Sequence, residues 1–486
     1  MFLYQTQALY ALDQAAQRLD GFSEIELMQR AGLSVWREIS RRWPELKQLT
    51  IFAGSGNNGG DAFVVALAAR QQGLTVQLIA SGNLQAQSDT ARHFRELWRQ
   101  DGGLIENWRE QAIKGEAIVD GLLGIGLNRM LDETTQGLIL RINQCNVPCI
   151  AIDIPSGLNA NTGVAQPCAV KSDLCVTFIG VKTGLYLADG PDFCGELIFD
   201  DLGISSHTVA SQVPSLIQLN PGNIQLPQKR LRNSHKNQFG HVLVIGGDEG
   251  MTGAASLAAQ AALRSGAGVV SVLVHPNCVH ALASIPELMV KSWEDIEHFL
   301  AQASVIVVGP GLGHSAAAKF CLQTLKVSEI PMVVDAGALE ADFLASLPAG
   351  QIVITPHPGE AAGLLGTTTG VIQADRLAAS TELVEQFSVV SVLKGSGSIV
   401  QKAGATPMIN CNGNPGMASA GMGDVLAGMI AAFIAQGLSP FEASKTGVLV
   451  HALCADAYAS DQDETGLIAS DVVDTIPVVI KQLRHV

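Results

Sequence analysis

From about residue 49 onward, short apolar runs alternate with longer helical stretches, the pattern of a parallel α/β sheet. Runs at 49–53, 75–80, 117–119 and 149–152 predict strands, and 62–72 predicts a helix. Each strand ends in a loop bearing Gly or Asp, the place where such sheets bind ligands. The first 45 residues predict two helices laid against this unit. The pattern fades between 203 and 233, where Pro214, Pro221, Gly222 and Pro227 sit among Ser, His, Gln and Arg. It restarts with strands at 241–245, 269–274, 305–308, 332–334, 352–354 and 390–393, and an Ala-rich helix at 254–265. Two α/β domains are therefore predicted, 1–215 and 226–486, joined near 205–230.

Composition narrows the function classes. With 486 residues, 47% hydrophobic and 15% charged, the chain is globular and too long for one ordinary core. A net charge of −15 argues against a nucleic-acid groove. It leaves room for phosphate ligands, because backbone N–H groups bind anions without a basic surface. The nine cysteines are scattered without a CxxC pair, Cys145 and Cys149 being nearest neighbours, which points to reduced thiols and a cytoplasmic protein. The N-terminus lacks a basic-then-apolar leader pattern, and no apolar run reaches the roughly 18–20 residues of a membrane span. The longest, 425–438, predicts a buried helix.

That helix follows the most informative motif, Gly421-Met422-Gly423-Asp424. Two glycines and a helix N-terminus form a place for an anion. An aspartate there repels a resting phosphate, but suits a base that deprotonates the group attacking one. A plain helix cap at Asp424 is the competing explanation.

The N-terminal half carries three strand-end loops. Gly54-Ser55-Gly56-Asn57-Asn58-Gly59-Gly60-Asp61 is placed like a dinucleotide-binding turn but departs from its spacing and lacks a P-loop lysine. Val119-Asp120-Gly121-Leu122-Leu123-Gly124-Ile125-Gly126 and Asp153-Ile154-Pro155-Ser156-Gly157 end two further strands. Strand ends converge on one face of a parallel sheet, so Asp120, Ser156 and an Asn58 carbonyl can surround a monovalent cation, leaving Asp153 for a substrate. These three motifs, with Glu26–Gly32, resemble the NAD(P)H-hydrate epimerase family over roughly residues 5–205. Ala62 and Ile125 depart from that family's pattern without removing a ligating group.

The resemblance implies a Rossmann-like domain. Substrate contacts are implied at Asn57, Asn58, Gly59, Gly60 and Asp61, at Gly124, Ile125, Gly126, Leu127, Asn128, Arg129 and Met130, and at Asp153. It also implies K+ near Asn58, Asp120 and Ser156. The implied substrate is a reduced nicotinamide hydrated at ring carbon 6, which can lose hydroxide to an iminium and regain it on the other face. Asp153 is the candidate acid/base; Lys182 is a second candidate, equally readable as a solvated surface lysine.

Five strand-end loops mark the C-terminal half: Gly246–Ala255, Gly309–Gly313, Thr355–Glu360, Leu393–Ser398 and the Gly421–Asp424 turn. From about 226 to 486 the chain resembles the ADP/ATP-dependent NAD(P)H-hydrate dehydratase family, which implies a ribokinase-like fold. Gly337 stands where that family usually has a second acidic residue. By motif, Ala254, Gly313, His357 and Asp424 are expected to touch the hydrated nicotinamide. Lys394, Gly395, Ser396, Gly397, Ser398 and Gly423 are expected to touch the nucleotide. Mg2+ and ADP, with ATP as the alternative donor, are the implied cofactor and co-substrate, and a homo-oligomer is implied. The resemblance thus implies a bifunctional repair enzyme that interconverts the R and S hydrates and dehydrates the S form, giving AMP and phosphate from ADP. The rival expectation is a ribokinase-like small-molecule kinase with a non-catalytic N-terminal binding domain.

Overall fold

The computed structural model describes residues 1–127, 129–282 and 285–485. The chain divides into two compact units, Met1–Leu216 and Ile217–Val486.

The N-terminal unit opens with β1 (Phe2–Tyr4), α1 (Thr6–Leu19) and α2 (Glu24–Arg42). Leu9, Leu12 and Ala16 recur at helical spacing and bury one face of α1. In α2, Ser23 and Glu26 form a reciprocal capping box that fixes the helix start. Then follow β2 (Gln48–Ala53), α3 (Asn57–Gln71), β3 (Thr75–Ala80), α4 (Asp89–Gln100), β4 (Glu106–Asn107), β5 (Ala117–Gly121) and α5 (Glu133–Asn143). The unit continues through β6 (Cys149–Ile152), β7 (Leu174–Phe178), β8 (Val181–Lys182) and β9 (Glu196–Asp200). Strands β4-β3-β2-β5-β6-β7-β9 form one parallel sheet in that order.

Successive strand residues face opposite layers, as the pleat requires. Leu49, Ile51 and Ala53 pack toward α1–α4, whereas Phe52 packs toward Leu138, Ile139 and Ile142 of α5. The sheet order reverses between β2 and β5, so the loops after these two strands flank the crevice where such sheets bind ligands. The two-residue strand β8 pairs with β1, Tyr4 beside Lys182, and this pairing fixes the backbone of Lys182.

Past β10 (Leu216–Gln218) the C-terminal unit has strands β11 (His241–Ile245), β12 (Val269–Val274), β13 (Met289–Ser292), β14 (Val305–Val308), β15 (Met332–Val334) and β16 (Ile352–Ile354). They continue with β17 (Val390–Leu393), β18 (Ser398–Gln401) and β19 (Met408–Asn410). The order β13-β12-β11-β14-β15-β16-β17 is parallel; β18 and β19 add antiparallel pairs, and Ile217 and Gln218 pair in parallel with β19. Val242 and Val244 face the layer holding the helices Thr252–Arg264 and Met422–Ala435, while Leu243 and Ile245 face the opposite layer. Here the order reverses between β11 and β14, again at glycine loops. No helix among the described residues is long and apolar enough to cross a membrane.

Both domains are α/β, as expected. The expected strands are present, and the strands β1, β4, β7, β8, β9, β10, β13, β18 and β19 add to them.

Candidate active sites

In the N-terminal unit a cavity of about 630 Å³ lies at the β2/β5 crevice. Of the residues expected at a substrate, Asn57, Asn58, Asp61, Gly124, Ile125, Gly126, Leu127, Arg129 and Asp153 line it. Gly59, Gly60 and Met130 are not among its lining, and Asn128 lies outside the described residues. The two glycines are explained by packing. A Cβ at Gly59 would overlap the Gly54 carbonyl, and one at Gly60 would press on Met28 Sδ at 2.5 Å.

Asp153 ends β6 with φ at +66°, a left-handed conformation that costs a non-glycine residue about 1 kcal/mol. Its Oδ1 accepts from Thr177 Oγ1 at 3.3 Å, from the Phe178 N–H at 3.2 Å and, closely, from Lys182 Nζ. Its Oδ2 has no hydrogen bond among the described residues. Lys182 is 2% exposed and also donates to the Phe178 carbonyl at 3.1 Å. The reading of Lys182 as a solvated surface lysine is thus overturned: β8 carries it into the cavity wall, where it is the counter-ion of Asp153.

Two more carboxyls face this pair. Asp61, on α3, is buried, and burial holds its carboxyl well above the usual range, with Asp153 and Asp13 adding to the effect. Asp13, on α1, lines the same cavity without a hydrogen bond among the described residues. Burial pushes its carboxyl up to about 6; Lys182 opposes the rise, and Asp153 and Glu24 add to it. Sequence reasoning missed Asp13, because one aspartate on the polar side of an amphipathic helix looks like ordinary solvated surface.

Next to the cavity, Asp120 is fully buried. It accepts from Ser156 Oγ at 2.6 Å, the Ser156 N–H at 2.8 Å and the Leu122 N–H at 3.2 Å. Ser156 Oγ is 2.8 Å from the Leu123 N–H, and Asn58 Nδ2 donates to the Leu123 carbonyl at 2.8 Å. The three expected cation ligands therefore meet around one loop. Burial raises the Asp120 carboxyl to about 6, and no cationic side chain among the described residues pairs with it. A buried carboxylate beside hydroxyl and carbonyl oxygens, without a protein counter-ion among the described residues, has the chemistry to take a monovalent cation.

In the C-terminal unit Gly421 takes φ +90°, and the helix Met422–Ala435 starts at the next residue with Asp424 in its first turn. Asp335 ends β15, Lys394 follows β17, and Glu360 lies in the first turn of the helix Pro358–Leu364. Lys394 Nζ donates to Asp335 Oδ1 at 2.7 Å and lies 3.7 Å from Glu360 Oε2. A Cβ on Gly423 would stand 3.0 Å from Lys394 Nζ and 3.5 Å from Asp335 Oδ2, so this glycine lets the turn rest on the ion pair. Burial opposes the charge on Lys394, but Asp335 and Glu360 outweigh it and raise its pKa. Burial lifts the Asp424 carboxyl to about 7; Asp335 and Glu360 add to this and Lys394 opposes it. Asp424 carries no hydrogen bond among the described residues, so its carboxyl is available to a ligand.

The remaining expected residues surround this centre. His357 caps its helix, Nδ1 accepting from the Gly359 and Glu360 N–H groups at 3.0 and 3.2 Å, and its side chain is 56% exposed. That cap occupies one ring nitrogen and leaves Nε2 outward, 3.5 Å from Glu360. Gly313 packs against the Asp248 carboxylate, and Ala254 against Gly311. A Cβ at Gly337 would overlap the Leu312 carbonyl oxygen, so the glycine found in place of an acidic residue brings two strand-end loops into contact.

Residues 242–478 match the family described as NAD(P)H-hydrate dehydratase, and residues 24–184 match the one described as YjeF-related protein N-terminus. The chain is 40% identical to the bifunctional NAD(P)H-hydrate repair enzyme Nnr of Coxiella burnetii, over 98% of this chain and 99% of that protein. It is 38% identical to the Escherichia coli protein of the same name, over 95% of this chain and 90% of that one. Among solved structures, the ADP/ATP-dependent NAD(P)H-hydrate dehydratase of Bacillus subtilis, co-crystallised with ATP/Mg2+, superposes with a TM-score of 0.51 at 26% identity, covering 55% of this chain and 99% of that one. A ribokinase-like superfamily protein of Enterococcus faecalis superposes with a TM-score of 0.50 at 28% identity, covering 56% of this chain and 98% of that one. The chain belongs to the family of bifunctional NAD(P)H-hydrate repair enzymes, with an epimerase domain followed by a ribokinase-like dehydratase domain.

Proposed function

We propose that residues 1–215 carry the epimerase through Asp153, and that residues 226–486 carry the dehydratase through Asp424. One observation supports this most strongly: each unit has a strand-end site holding one carboxylate braced or biased by a lysine, with an oxygen left free of hydrogen bonds. In the first site Lys182, Thr177 and the Phe178 N–H fix Asp153 Oδ1, which leaves Oδ2 for the C6 hydroxyl of the hydrated nicotinamide. A proton delivered to that hydroxyl lets it leave as water and form the iminium; water adds to the other face and returns its proton to a carboxylate. Asn57, Asn58, Asp61, Gly124–Leu127 and Arg129 form the surrounding cavity wall and hold the substrate.

K+ is the cation whose chemistry suits the Asn58, Asp120 and Ser156 oxygens; bound there, it would neutralise Asp120 and tie the three strand-end loops together.

In the second site Asp424 takes the C6 hydroxyl proton, and the oxygen attacks the terminal phosphoryl of the nucleotide. The bond from that phosphorus to the nucleotide breaks and AMP departs when ADP is the donor. The C6–O bond then breaks with phosphate as leaving group, a proton leaves C5, and the dihydronicotinamide is restored. The N–H groups at Met422–Asp424 face the developing charge. Ala254, Gly313 and His357 contact the hydrate, and Gly423 and Lys394–Ser398 contact the nucleotide. Asp335 and Glu360 are already engaged by Lys394, a donor set that fits Mg2+ held chiefly by nucleotide phosphates. Mg2+ would supply charge neutralisation at those phosphates.

Incubation with mixed hydrate epimers plus ADP or ATP tests the reading. Complete return of reduced-nicotinamide absorbance is expected, faster with ADP. Arrest near half would exclude an active epimerase site, and a stable phosphorylated product would show a kinase. We further place the protein in the cytoplasm as a homo-oligomer.

A further inference from the structure

Arg376 opens the helix Arg376–Phe387 and is 2% exposed. No carboxylate among the described residues pairs with it, and burial alone acts on it, pushing its pKa down to about 10. A buried cation without an anion needs another reason to be there. Its Nη2 donates to three carbonyls, those of Leu393 at 3.3 Å, Lys394 at 3.2 Å and Gly397 at 3.2 Å. Its Nη1 donates to Gln373 Oε1 at 3.1 Å, while Nε has no partner. Gly395 has φ +141°, and a Cβ there would stand 2.9 Å from Nη1, so the loop lies directly on the guanidinium.

The effect on the loop follows from peptide geometry. A trans peptide points its N–H opposite its carbonyl. Drawing the Lys394 and Gly397 carbonyls onto Arg376 turns the N–H groups of Gly395 and Ser398 to the far side, where the Gly395 N–H donates to Ser398 Oγ at 3.3 Å. The Gly395 carbonyl is taken up by Ser398 Oγ at 3.0 Å. The N–H groups of Ser396 and Gly397 make no hydrogen bond among the described residues. The loop thus keeps the N–H groups of Ser396 and Gly397 for a ligand, while Arg376 draws the Lys394 and Gly397 carbonyls, which would repel an anion, inward.

We propose that Arg376 is a positioning residue for the phosphates of the nucleotide, acting through the loop Leu393–Ser398 without touching the ligand; this rests on the reading of Lys394–Ser398 as the nucleotide loop. The experiment uses the full-length protein with the S hydrate. Arg376→Met is expected to raise the KM for ADP by about tenfold or more, with kcat and the hydrate KM changed by less than about threefold. Arg376→Lys, which keeps charge and donors but not the planar fork, is expected to recover part of that loss. A nucleotide KM within about threefold of the wild type in folded Arg376→Met, or both KM values rising together, overturns the proposal. Should Arg376→Met fail to fold, Arg376→Lys is read by the same criteria. Ser396→Pro removes one loop N–H and separates the two readings. If it leaves the ADP KM unchanged, the loop is not the nucleotide site and both readings fall. If it raises that KM while the Arg376 variants do not, only the role of Arg376 falls.

Discussion

Lys394 holds Asp335 through a 2.7 Å hydrogen bond, and Gly423 rests on that pair. The pair influences the ionisation of its neighbour. Burial raises Asp424 to about 7, Asp335 raises it further and Lys394 restrains it. A carboxyl in ordinary solvent would lose its proton three units lower. This one changes state near neutral pH, the range in which a general base is most effective.

Dehydration should therefore follow the ionisation of Asp424. The base acts only when unprotonated, so kcat/KM is expected to rise with pH through about 7 and then level. Asp335→Asn removes a like charge and should move this limb to lower pH. Lys394→Met removes the restraining cation and should move it higher. Asp424→Ala should lower the rate about 10²–10⁴-fold while leaving epimerisation intact. Stopped-flow absorbance of the restored dihydronicotinamide measures all three, and a limb that stays fixed in both neighbours' variants would remove Asp424 as the titrating base.

The Lys182–Asp153 pair gives a contrasting prediction in the other unit. Asp153→Asn should abolish conversion of the R hydrate and leave dehydration of the S hydrate unchanged. Lys182→Met frees Asp153 Oδ1 from its main restraint and also strands a partly buried carboxylate. It should slow epimerisation and cost about 3 kcal/mol of stability. The double variant should recover most of that stability and none of the activity. Urea melts and a coupled epimer assay check this; a folded single variant lacking both activities would contradict the assignment of separate sites.

Much of this was legible from the sequence because glycine loops at strand ends are a backbone requirement written in residue type. Asn57–Asp61, Asp120, Asp153 and the Gly421–Asp424 turn lie where the alternation of apolar runs placed them. Burial was not legible. Lys182 looks like surface until β8 pairs with β1, and Arg376 looks like an ordinary helical arginine until the loop after β17 folds over it. Gly59 and Gly60 read as ligand glycines, yet neighbouring backbone and Met28 account for them. Pairing and packing arise from residues far apart in the chain, which local patterns do not record.

Potassium should stabilise the N-terminal unit through Asp120. A cation that binds only the folded state raises stability by RT ln(1 + [L]/Kd), about 1.4 kcal/mol at ten times Kd. Thermal melts in KCl are expected to exceed those in tetramethylammonium chloride of equal ionic strength. Asp120→Asn should erase the difference. Equal melts of the wild type in the two salts would rule out the cation site.

Asp13 makes the folded protein less stable at neutral pH than an uncharged residue would. Its folded carboxyl titrates at about 6, above the ordinary 3.8. The folded state therefore binds this proton more tightly than the unfolded chain does. The contribution is fully favourable below about pH 4, declines as pH rises through about 6, and is lost above it. Lys182 offsets part of the burial cost, and Asp153 and Glu24 add to it. Comparing the wild type with Asp13→Asn at each pH cancels most of the pH dependence that the two proteins share. The variant should be more stable by up to about 3 kcal/mol at pH 8 and by almost nothing near pH 4, since one pKa unit corresponds to about 1.4 kcal/mol. Urea midpoints across this range measure the difference, and a gain of equal size at both ends would mean that packing, not charge, sets the cost of Asp13.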